Sequence, residues 1–375
     1  MPVPLLDLRA QHATIAAEID AAVARVLTSQ RFILGEEVAS FERQVAETLG
    51  LGHAVGVSSG SDALYLALRA LDVGPGSEVV TTVYSFFATA GAIARCGATP
   101  VFVDIDEATF NLDVEQALAR VGARTAALMP VHLFGRCAEV EALAEAGLPI
   151  VEDAAQAIGA RRDGVGAGAL GQIGCFSFFP SKNLGGAGDG GLLSTADDDL
   201  AARLRSLRVH GQHPEVRYEH LEVGGNYRLD ALQAAILAVK LPHLTRWNQA
   251  RRDNAARYQR LFEEAGVVGE RGLRLPPASD AHSEDVVNQF VIAARDRDAL
   301  KAYLGERGVG SAIYYPQPLH LQPCFADLGG APGDFPRAEA AARESLALPI
   351  YPELQAAQID EVVGYVVDFL RGQGR

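Results

Sequence analysis

The chain has 375 residues, of which 49% are hydrophobic and 21% are charged, a balance typical of a globular enzyme with a large buried core. It carries 33 Lys and Arg against 47 Asp and Glu, and this formal charge of −14 excludes nucleic acid as an expected partner, because phosphate backbones are bound by basic surfaces. The N-terminal residues do not form a basic leader before an apolar segment, and no uncharged apolar run is long enough to span a bilayer. We therefore expect a soluble, cytoplasmic protein that does not contact a membrane.

The four cysteines are widely spaced and form no Cys-x-x-Cys pair; they are Cys96, Cys137, Cys175 and Cys324. This spacing predicts buried free thiols in a reducing compartment. We expect neither a disulfide framework nor a metal site.

The first residues predict helices, and the pattern changes at residue 53. Ile15, Ile19 and Val26 have helical spacing within residues 12–27, and Val38, Phe41, Val45 and Leu49 mark a second helix. Short apolar strands then alternate with helices. The predicted strands are 53–57, 78–82, 100–105, 125–130 and 149–152, and the predicted helices between them lie near 61–72, 86–96, 113–121 and 138–146. This alternation predicts an α/β fold with a mostly parallel sheet covered by helices on both faces. We expect the chemistry on the loops that follow the strands.

The alternation stops after residue 204. A polar segment over 209–228 leads into a helix at 229–241, which Pro242 ends. A long helix at 244–262, a loop at 266–284, a strand at 288–293, and helices at 297–306 and 358–370 follow. We predict a large domain over residues 1–242, which includes the N-terminal helical segment, and a smaller α+β domain over residues 243–375.

The run from Gly174 to Gly191 attracts attention as a candidate site. An apolar strand, Cys175–Phe179, ends at Pro180, and Lys182 follows on a glycine-rich loop before a returning strand at 192–195. A lysine held between two strands, where glycines allow close approach of backbone, is suited to forming a Schiff base. The alternative is a solvated loop lysine.

A second candidate is the segment Ser58-Ser-Gly-Ser-Asp62, which follows a strand and opens a helix. Gly60 and the small hydroxyl residues there can present backbone N–H groups to a phosphate at the positive end of the helix. The alternative is that Ser61 simply caps the helix.

Asp153 and Gln156 follow the strand that ends at Glu152. A buried carboxylate needs a cationic partner, and a protonated pyridine nitrogen would be one, while Gln156 could bond a phenolic oxygen on the same ring. The alternative is that Asp153 caps a helix and that Gln156 is exposed.

Tyr84, Phe86 and Phe87 follow another strand, where an aromatic ring can stack on a planar ligand or belong to the core. Asn226 and Arg228 lie on a Gly-Gly turn, where the default is a surface turn and the alternative is a contact to a phosphate or to a neighbouring subunit.

Together these groups describe one ligand, pyridoxal 5′-phosphate (PLP). They provide a lysine for a Schiff base, an acid for a pyridine nitrogen, an aromatic ring for stacking and hydroxyls for a phosphate. Ser177, five residues before Lys182, adds a phosphate contact.

The sequence also resembles the nucleotide-sugar aminotransferases, the DegT-like branch of the fold-type I PLP enzymes, over nearly its whole length. The motifs that carry the resemblance are Ser58-Ser-Gly-Ser-Asp-Ala-Leu64, Val131-His-Leu-Phe-Gly135, Glu152-Asp-Ala-Ala-Gln156, Cys175-Phe-Ser-Phe-Phe-Pro-Ser-Lys-Asn-Leu-Gly185 and Gly225-Asn-Tyr-Arg-Leu-Asp230. The resemblance implies a large domain with a seven-stranded sheet, a homodimer with shared active sites, and transfer of an amino group from L-glutamate to a nucleotide-linked keto sugar, for amino-sugar biosynthesis.

The resemblance also implies a role for each matching position. Lys182 would bind the cofactor and move the proton, with Asp153 on the pyridine nitrogen, Gln156 on the ring oxygen and Phe86 on the ring face. The phosphate would be bound by Gly60, Ser61 and Ser177, and by Asn226 of the second subunit; the substrates would face Arg228, Tyr314 and His320.

Two details refine this implied function. Ser61 stands where threonine is commonest and keeps the hydroxyl group. A related dehydratase branch has histidine at the lysine position, so Lys182 favours amino transfer. The resemblance favours amination of the third carbon of the sugar ring over the fourth. The rival functions are a sugar dehydratase and a non-catalytic regulator on the same fold.

Overall fold

Strands and helices alternate along most of the chain, and the computed structural model describes residues 2–269 and 272–372. The helices are α1 (Leu8–Ala13), α2 (Ala16–Ser29), α3 (Glu36–Leu49), α4 (Gly60–Ala70), α5 (Ala88–Arg95), α6 (Val114–Ala119), α7 (Val140–Leu143), α8 (Asp198–Leu207), α9 (Ala231–Lys240), α10 (Leu244–Glu264), α11 (Arg297–Glu306), α12 (Pro336–Glu344) and α13 (Ala356–Gly372). The strands are β1 (His53–Val57), β2 (Glu78–Thr82), β3 (Thr99–Val103), β4 (Thr125–Met129), β5 (Val151–Asp153), β6 (Arg161–Arg162), β7 (Val165–Gly166), β8 (Ile173–Ser177), β9 (Gly191–Thr195), β10 (Leu273–Arg274), β11 (Ser283–Glu284), β12 (Phe290–Ala294) and β13 (Ser345–Leu348).

Seven strands form the central sheet in the order β3-β2-β4-β5-β8-β9-β1. β2 pairs in parallel with β3 and β4, and β5 pairs in parallel with β8, whereas β9 is antiparallel to both of its neighbours. The bridges Leu128–Ile150 and Val131–Asp153 join β4 to β5. The expected mostly parallel seven-stranded sheet is therefore confirmed, and the carboxyl ends of its parallel strands meet at one edge.

Helices cover both faces of this sheet. Neighbouring residues of a strand point to opposite faces, so one strand contributes side chains to the hydrophobic clusters on both sides. Val79 of β2 packs in one cluster with residues of α4 and α5, including Leu66 and Ile93. Its neighbour Val80 packs in another cluster with Ala117 of α6 and Val140 of α7. Burial on both faces explains why these strands are continuously apolar.

A second sheet, β10-β12-β13, lies in the C-terminal part of the chain and is antiparallel. Its apolar side chains pack with those of α10, α11 and α13 in a separate cluster. The fully buried Val3 belongs to this cluster, and its backbone bonds Gly308 and Gly310. The division at residue 242 stays a prediction, but the first residues of the predicted large domain pack against the C-terminal residues.

Some elements differ from the sequence-based expectation. The helix expected at 12–27 is two helices, α1 and α2, with Ile15 between them. Helices α8 and α12 and strand β13 were not anticipated. The alanine-rich α12 runs directly into β13, which is a strand because its backbone pairs with that of β12. The loop expected at 266–284 contains β10 and β11, and residues 270 and 271 within it lie outside the described residues.

Three of the four free cysteines are buried, and the expectation of burial is wrong for Cys324, which lies exposed on a 3₁₀ turn. Among the described residues, no helix combines the length and the apolar character that a membrane span needs.

Candidate active site

The predicted site residues gather at the edge where the parallel strands end. Gly60 follows β1, Phe86 follows β2, and Lys182 follows β8 by a few residues. Asp153 and Ser177 are the last residues of the neighbouring strands β5 and β8. The sheet topology thus brings together side chains that are far apart in sequence, as the rule for open α/β sheets leads one to expect.

Asp153 is a buried acid whose two oxygens are both bonded. Thr89 Oγ1 donates to Oδ2 over 2.7 Å, and the Ala155 backbone N–H donates to Oδ1 over 3.2 Å. Burial raises the pKa of Asp153, while these two donors and the positive charge of Lys182 act in the opposite direction. No helix begins at Asp153, and Gln156 is only 7% exposed, so the alternative of a helix cap with an exposed glutamine is wrong.

Lys182 lies on a tight loop between β8 and β9. Its backbone N–H donates to Phe179 O over 2.8 Å. Burial lowers the pKa of Lys182 from 10.5 to about 8, although the attraction of Asp153 opposes this change. A lysine with this pKa is partly neutral near pH 8, so its amine can act as a nucleophile and as a base. The alternative of an ordinary solvated loop lysine does not fit this placement.

The glycines after Lys182 pack against the protein's own backbone and against α9. A Cβ atom on Gly185 would lie 2.3 Å from Pro180 O, and one on Gly186 would lie 2.7 Å from Gln233 Oε1. The Lys240 ammonium group donates to Gly185 O over 2.5 Å. The glycines therefore allow the loop to fold closely upon itself, which fixes the direction in which Lys182 leaves it.

Gly60 and Ser177 are in direct contact at the N-terminus of α4. A Cβ atom on Gly60 would lie 2.7 Å from Ser177 Cβ, so only glycine leaves room at this point. The helix cap is Ser59, whose Oγ accepts the Asp62 N–H over 3.1 Å, and the alternative that Ser61 is the cap is wrong. Ser61 lies in the first turn of α4, where its hydroxyl and the free backbone N–H groups form a site suited to an anion.

The aromatic residues after β2 divide between the core and the surface. Tyr84 is fully buried, whereas Phe86 is 58% exposed and Phe87 is also exposed, so the interpretation of all three as core residues is wrong for the phenylalanines. The ring of Phe86 lies 6.2 Å from that of Tyr315. An exposed aromatic face of this kind is suited to stacking on a planar ligand.

Gln156 bonds two neighbours within the chain. Its Oε1 accepts the Phe134 N–H over 2.6 Å, and its Nε2 donates to Tyr315 OH over 3.1 Å. The predicted contact of Gln156 with a ring oxygen stays a prediction. Tyr315 OH lies beside it, and burial raises the pKa of this phenol, which keeps it protonated.

The segment that contains Asn226 and Arg228 pairs with the end of β1. The Ser58 N–H donates to Tyr227 O over 2.9 Å, and Arg228 forms a bridge with Val57. Arg228 Nε is buried without a hydrogen-bond partner among residues 2–269 and 272–372. Asn226 is exposed, and its predicted contact with the phosphate of a second subunit stays a prediction.

The remaining substrate candidates are placed differently. Tyr314 is half-buried, and its carbonyl accepts a hydrogen bond from Tyr84 OH over 2.7 Å. His320 is 3% exposed, and its ring packs against Phe335 with Nε2 3.3 Å from Glu339 Oε1, although their geometry is not that of a hydrogen bond. A substrate contact of His320 stays a prediction, and its burial argues against it.

The sequence interpretation missed several residues that support the site. Thr89 gave no signal, because a threonine in a predicted helix is unremarkable in sequence. His132 and Glu152 lie in quoted motifs without an assigned role, and both are fully buried. The Ala138 N–H donates to His132 Nδ1, so Nε2 carries the proton and donates to Glu152 Oε2 over 2.8 Å. The backbone N–H of His132 also donates to the backbone carbonyl of Asp153, so the His132–Glu152 pair fixes the end of β5.

PLP fits the groups present. Asp153 is a buried carboxylate with no cationic partner within hydrogen-bond distance among the described residues, and a protonated ring nitrogen would supply one. The exposed face of Phe86 suits a flat ring, and the first turn of α4, which begins at Gly60 and carries the half-buried Ser61, can offer backbone N–H groups to a phosphate. Lys182 supplies the amine.

Comparison with known proteins agrees with this site. Residues 13–367 match the model of the DegT/DnrJ/EryC1/StrS aminotransferase family. A "Pleiotropic regulatory protein" of Geobacillus stearothermophilus is 49% identical over 99% of both chains. A UDP-N-acetyl-3-dehydro-alpha-D-glucosamine 3-aminotransferase of Acidithiobacillus ferrooxidans is 44% identical over 99% of this chain and 98% of its own.

Among solved structures, DesV of S. venezuelae in complex with a ketimine intermediate superimposes with a TM-score of 0.94. It is 43% identical, and the match covers 98% of each chain. The chain belongs to the DegT/DnrJ/EryC1/StrS aminotransferase family.

Proposed function

We propose that this protein is a PLP-dependent aminotransferase that moves an amino group from L-glutamate to a keto carbon of a nucleotide-linked sugar. The observation that carries the proposal is the pair formed by buried Asp153 and Lys182 at the carboxyl edge of the sheet. A lysine of lowered pKa beside an acid that needs a cation is the chemistry that PLP requires. The family membership of the chain supports the same reaction.

When bound, PLP supplies an electron sink for the carbon from which a proton is removed. The other steps belong to the protein. Asp153, held by Thr89, would keep a proton on the ring nitrogen. Gly60, Ser61 and Ser177 would bind the phosphate, and Phe86 would cover the ring face. Lys182 Nζ would take a proton from the amino-acid carbon in the first half of the reaction and would deliver a proton to the former keto carbon of the sugar in the second half.

The keto carbon we propose is the third of the sugar ring. The relative from A. ferrooxidans is named a 3-aminotransferase of a UDP-linked 3-dehydro sugar, and it aligns with nearly the whole chain. The sugar and the nucleotide can be identified by a screen of nucleotide-linked 3-keto and 4-keto sugars with glutamate, read by mass spectrometry. We expect amination of 3-keto substrates, and exclusive amination of 4-keto sugars would contradict this assignment.

The proposed active unit is a homodimer. Asn226 is exposed, and the segment before it carries the exposed apolar side chains of Tyr218, Leu221 and Val223. A second copy that covers this segment would bury the apolar surface and bring Asn226 to another phosphate site. An active protein that sediments as a monomer would contradict this arrangement.

The four free thiols support a cytoplasmic location, since they suit a reducing compartment.

A regulatory role is the second candidate, because the relative from G. stearothermophilus is named a regulatory protein. A purely regulatory protein has no need of a lysine of lowered pKa and a buried acid at the sheet edge, and the net charge of −14 disfavours direct binding to DNA. A sugar dehydratase is disfavoured by the intact Lys182. The dehydratase would release ammonia, whereas the aminotransferase produces 2-oxoglutarate in equal amount.

The test of the proposed function uses the three lysines of the chain, Lys182, Lys240 and Lys301. Borohydride reduction of the PLP-loaded protein should fix the cofactor on Lys182 alone, as peptide mass spectrometry can determine. Lys182→Ala should abolish turnover and the visible absorption of the lysine-bound cofactor. Lys301→Ala, a change on an exposed helix position, is the control and should leave both unchanged. An active and normally coloured Lys182→Ala variant would refute the proposal.

A further inference from the structure

The residue directly after the lysine is unusually well held for a loop position. Asn183 is 3% exposed, and its Nδ2 donates both to Asn248 Oδ1 over 2.7 Å and to Val286 O over 2.8 Å. Its Oδ1 accepts a hydrogen bond from Asn288 Nδ2 over 2.7 Å. All three hydrogen bonds of this side-chain amide therefore join the lysine loop to residues beyond 247.

Asn248 and Asn288 are themselves buried and anchored. Asn248 lies on α10, and its Nδ2 donates to Ile158 O, in the turn that follows Asp153 and Gln156. Asn288 precedes β12. Its backbone carbonyl accepts a hydrogen bond from Arg251 of α10, which also bonds Ile350 O. The three amides thus connect the lysine loop to the turn after β5, to α10 and to the C-terminal sheet.

This arrangement is poorly explained by stability alone. Buried amides gain little over well-packed apolar groups, and an unpaired polar atom among them is costly. Asn288 Oδ1 is such an atom, since it is buried without a hydrogen-bond partner among the described residues. What the amides supply is direction, because each hydrogen bond restricts the orientation of the next side chain.

We propose that Asn183, Asn248 and Asn288 form a positioning relay that holds the Lys182 amine at one place relative to Asp153. We call this set the asparagine relay. It rests on the proposed function, since it assigns Lys182 the central amine of the reaction. The Lys182 N–H is fixed to Phe179 O on one side, and Asn183 fixes the backbone on the other, so the relay limits the path of the lysine side chain.

The relay also links the lysine to the C-terminal part of the molecule. Asn288 precedes β12 and bonds Asn183, and Arg251 bonds Ile350, so a shift of the C-terminal sheet would change the position of Asn183. Loss of the relay should leave substrate binding groups in place and displace only the amine. We therefore expect kcat to fall on the order of 100-fold with little change in KM.

The deciding experiment measures the amine itself, without the cofactor. The apo protein is acetylated briefly at a series of pH values, and the extent of modification of Lys182, Lys240 and Lys301 is read by mass spectrometry. In the parent protein Lys182 should show a midpoint near pH 8. In Asn183→Ala and Asn248→Leu, the Lys182 midpoint should rise by about 1 pH unit or more toward the ordinary lysine value, because a mobile amine reaches water.

The matched control is Asn254→Leu. Asn254 lies on the same helix α10, and its amide also bonds a carbonyl of the C-terminal part, Tyr351 O over 2.9 Å, but it has no connection to Lys182. It should lower the thermal midpoint without moving the Lys182 midpoint or kcat. Should Asn183→Ala fail to fold, Asn288→Ala removes only the bond to Asn183 Oδ1 and is measured in the same way.

The outcomes separate the relay from the proposed function. An unchanged Lys182 midpoint and kcat in the folded relay variants, with losses of stability like that of Asn254→Leu, would overturn the relay. A parent protein that does not take up PLP would instead contradict the proposed function, and the acetylation profile would still decide whether the relay positions the amine. Equal and independent effects of Asn183→Ala and Asn248→Leu that add in the double variant would also count against a single relay.

Discussion

The charge of Asp153 depends on a single side-chain donor. Its carboxyl group is buried, which raises its pKa, and among the hydrogen bonds that act against this effect the one from Thr89 Oγ1 is the shortest. Ser85 in turn bonds the Thr89 hydroxyl over 2.8 Å. The Thr89 hydroxyl is therefore a main determinant of the charge of the acid that would face the pyridine nitrogen.

We predict that Thr89→Val moves the acid limb of the pH–activity profile to higher pH by about 1 to 2 units. The Thr89 hydroxyl stabilises the charged carboxylate, and a hydrogen bond to a charged group contributes about 1.5–3 kcal/mol. Since one pKa unit corresponds to about 1.36 kcal/mol, this energy corresponds to a shift of about 1 to 2 units. Its loss raises the pKa of Asp153 further, so the carboxylate forms only at higher pH. The measurement is kcat/KM as a function of pH.

The control for this change is Ser85→Ala, which removes the outer hydroxyl but leaves the bond from Thr89 to Asp153. It should shift the acid limb less than Thr89→Val does. Identical profiles for Thr89→Val and the parent protein would mean that Asp153 does not govern this limb.

At this scale the sequence allowed prediction of the reactive groups but not of their supports. Lys182 and Asp153 stand in short runs whose residue types already imply chemistry. Thr89 bonds a residue 64 positions away, and the partners of Asn183 are at least 65 positions away. Such partners cannot be inferred from local spacing. Ser61 illustrates the same limit, because the choice between Ser59 and Ser61 as helix cap depends on where the chain leaves β1.

At the scale of elements, the glycine loop between β8 and β9 acts as one rigid piece. Its backbone bonds Phe178 O through the Gly186 N–H, and α9 holds it through Gln233 and Lys240. The sequence predicted the two flanking strands, but the packing of the loop on α9 depends on a helix some fifty positions along the chain.

We predict that Gly185→Ala destabilises the protein and weakens binding of PLP. The added Cβ would lie 2.3 Å from Pro180 O and 2.7 Å from Pro180 C, and these backbone atoms can yield only if the loop moves. Overpacking of this kind costs about 1–3 kcal/mol of the free energy of unfolding. The measurements are denaturant unfolding and the Kd for PLP.

Gly188→Ala provides the comparison within the same loop. Its nearest contact would be Gln233 Nε2 at 3.1 Å, which has to yield by only a few tenths of an ångström, so the bond from the Ala187 N–H to Gln233 Oε1 can remain. We expect parent-like stability and PLP affinity for this variant. Equal losses in the two variants would indicate a general intolerance of the loop rather than the clash at Pro180.

At the scale of the whole molecule, the N-terminal residues join parts that the sequence assigns to separate domains. Val3 pairs with Val309 and packs in the C-terminal cluster, whereas Ile15 and Ile19 pack against Ile236 and Trp247. Composition could not reveal this connection, since a short apolar segment carries no information about which sheet it will join.

The proposed dimer makes a prediction that belongs to the whole molecule, because it concerns which chain completes which site. Lys182→Ala and Asn226→Ala should each be poorly active alone. In a hybrid dimer, the site built on the intact Lys182 receives the intact Asn226 of the other subunit if Asn226 acts across the interface, and the second site carries both defects. The hybrid should then regain one working site. If Asn226 acted within its own chain, each site of the hybrid would keep one defect and no activity would return.

The hybrid can be obtained by co-expression of the two variants with different affinity tags. Its kcat is then compared with those of the two single variants. A hybrid of parent and Lys182→Ala subunits is the control, and it gives the value expected for one working site.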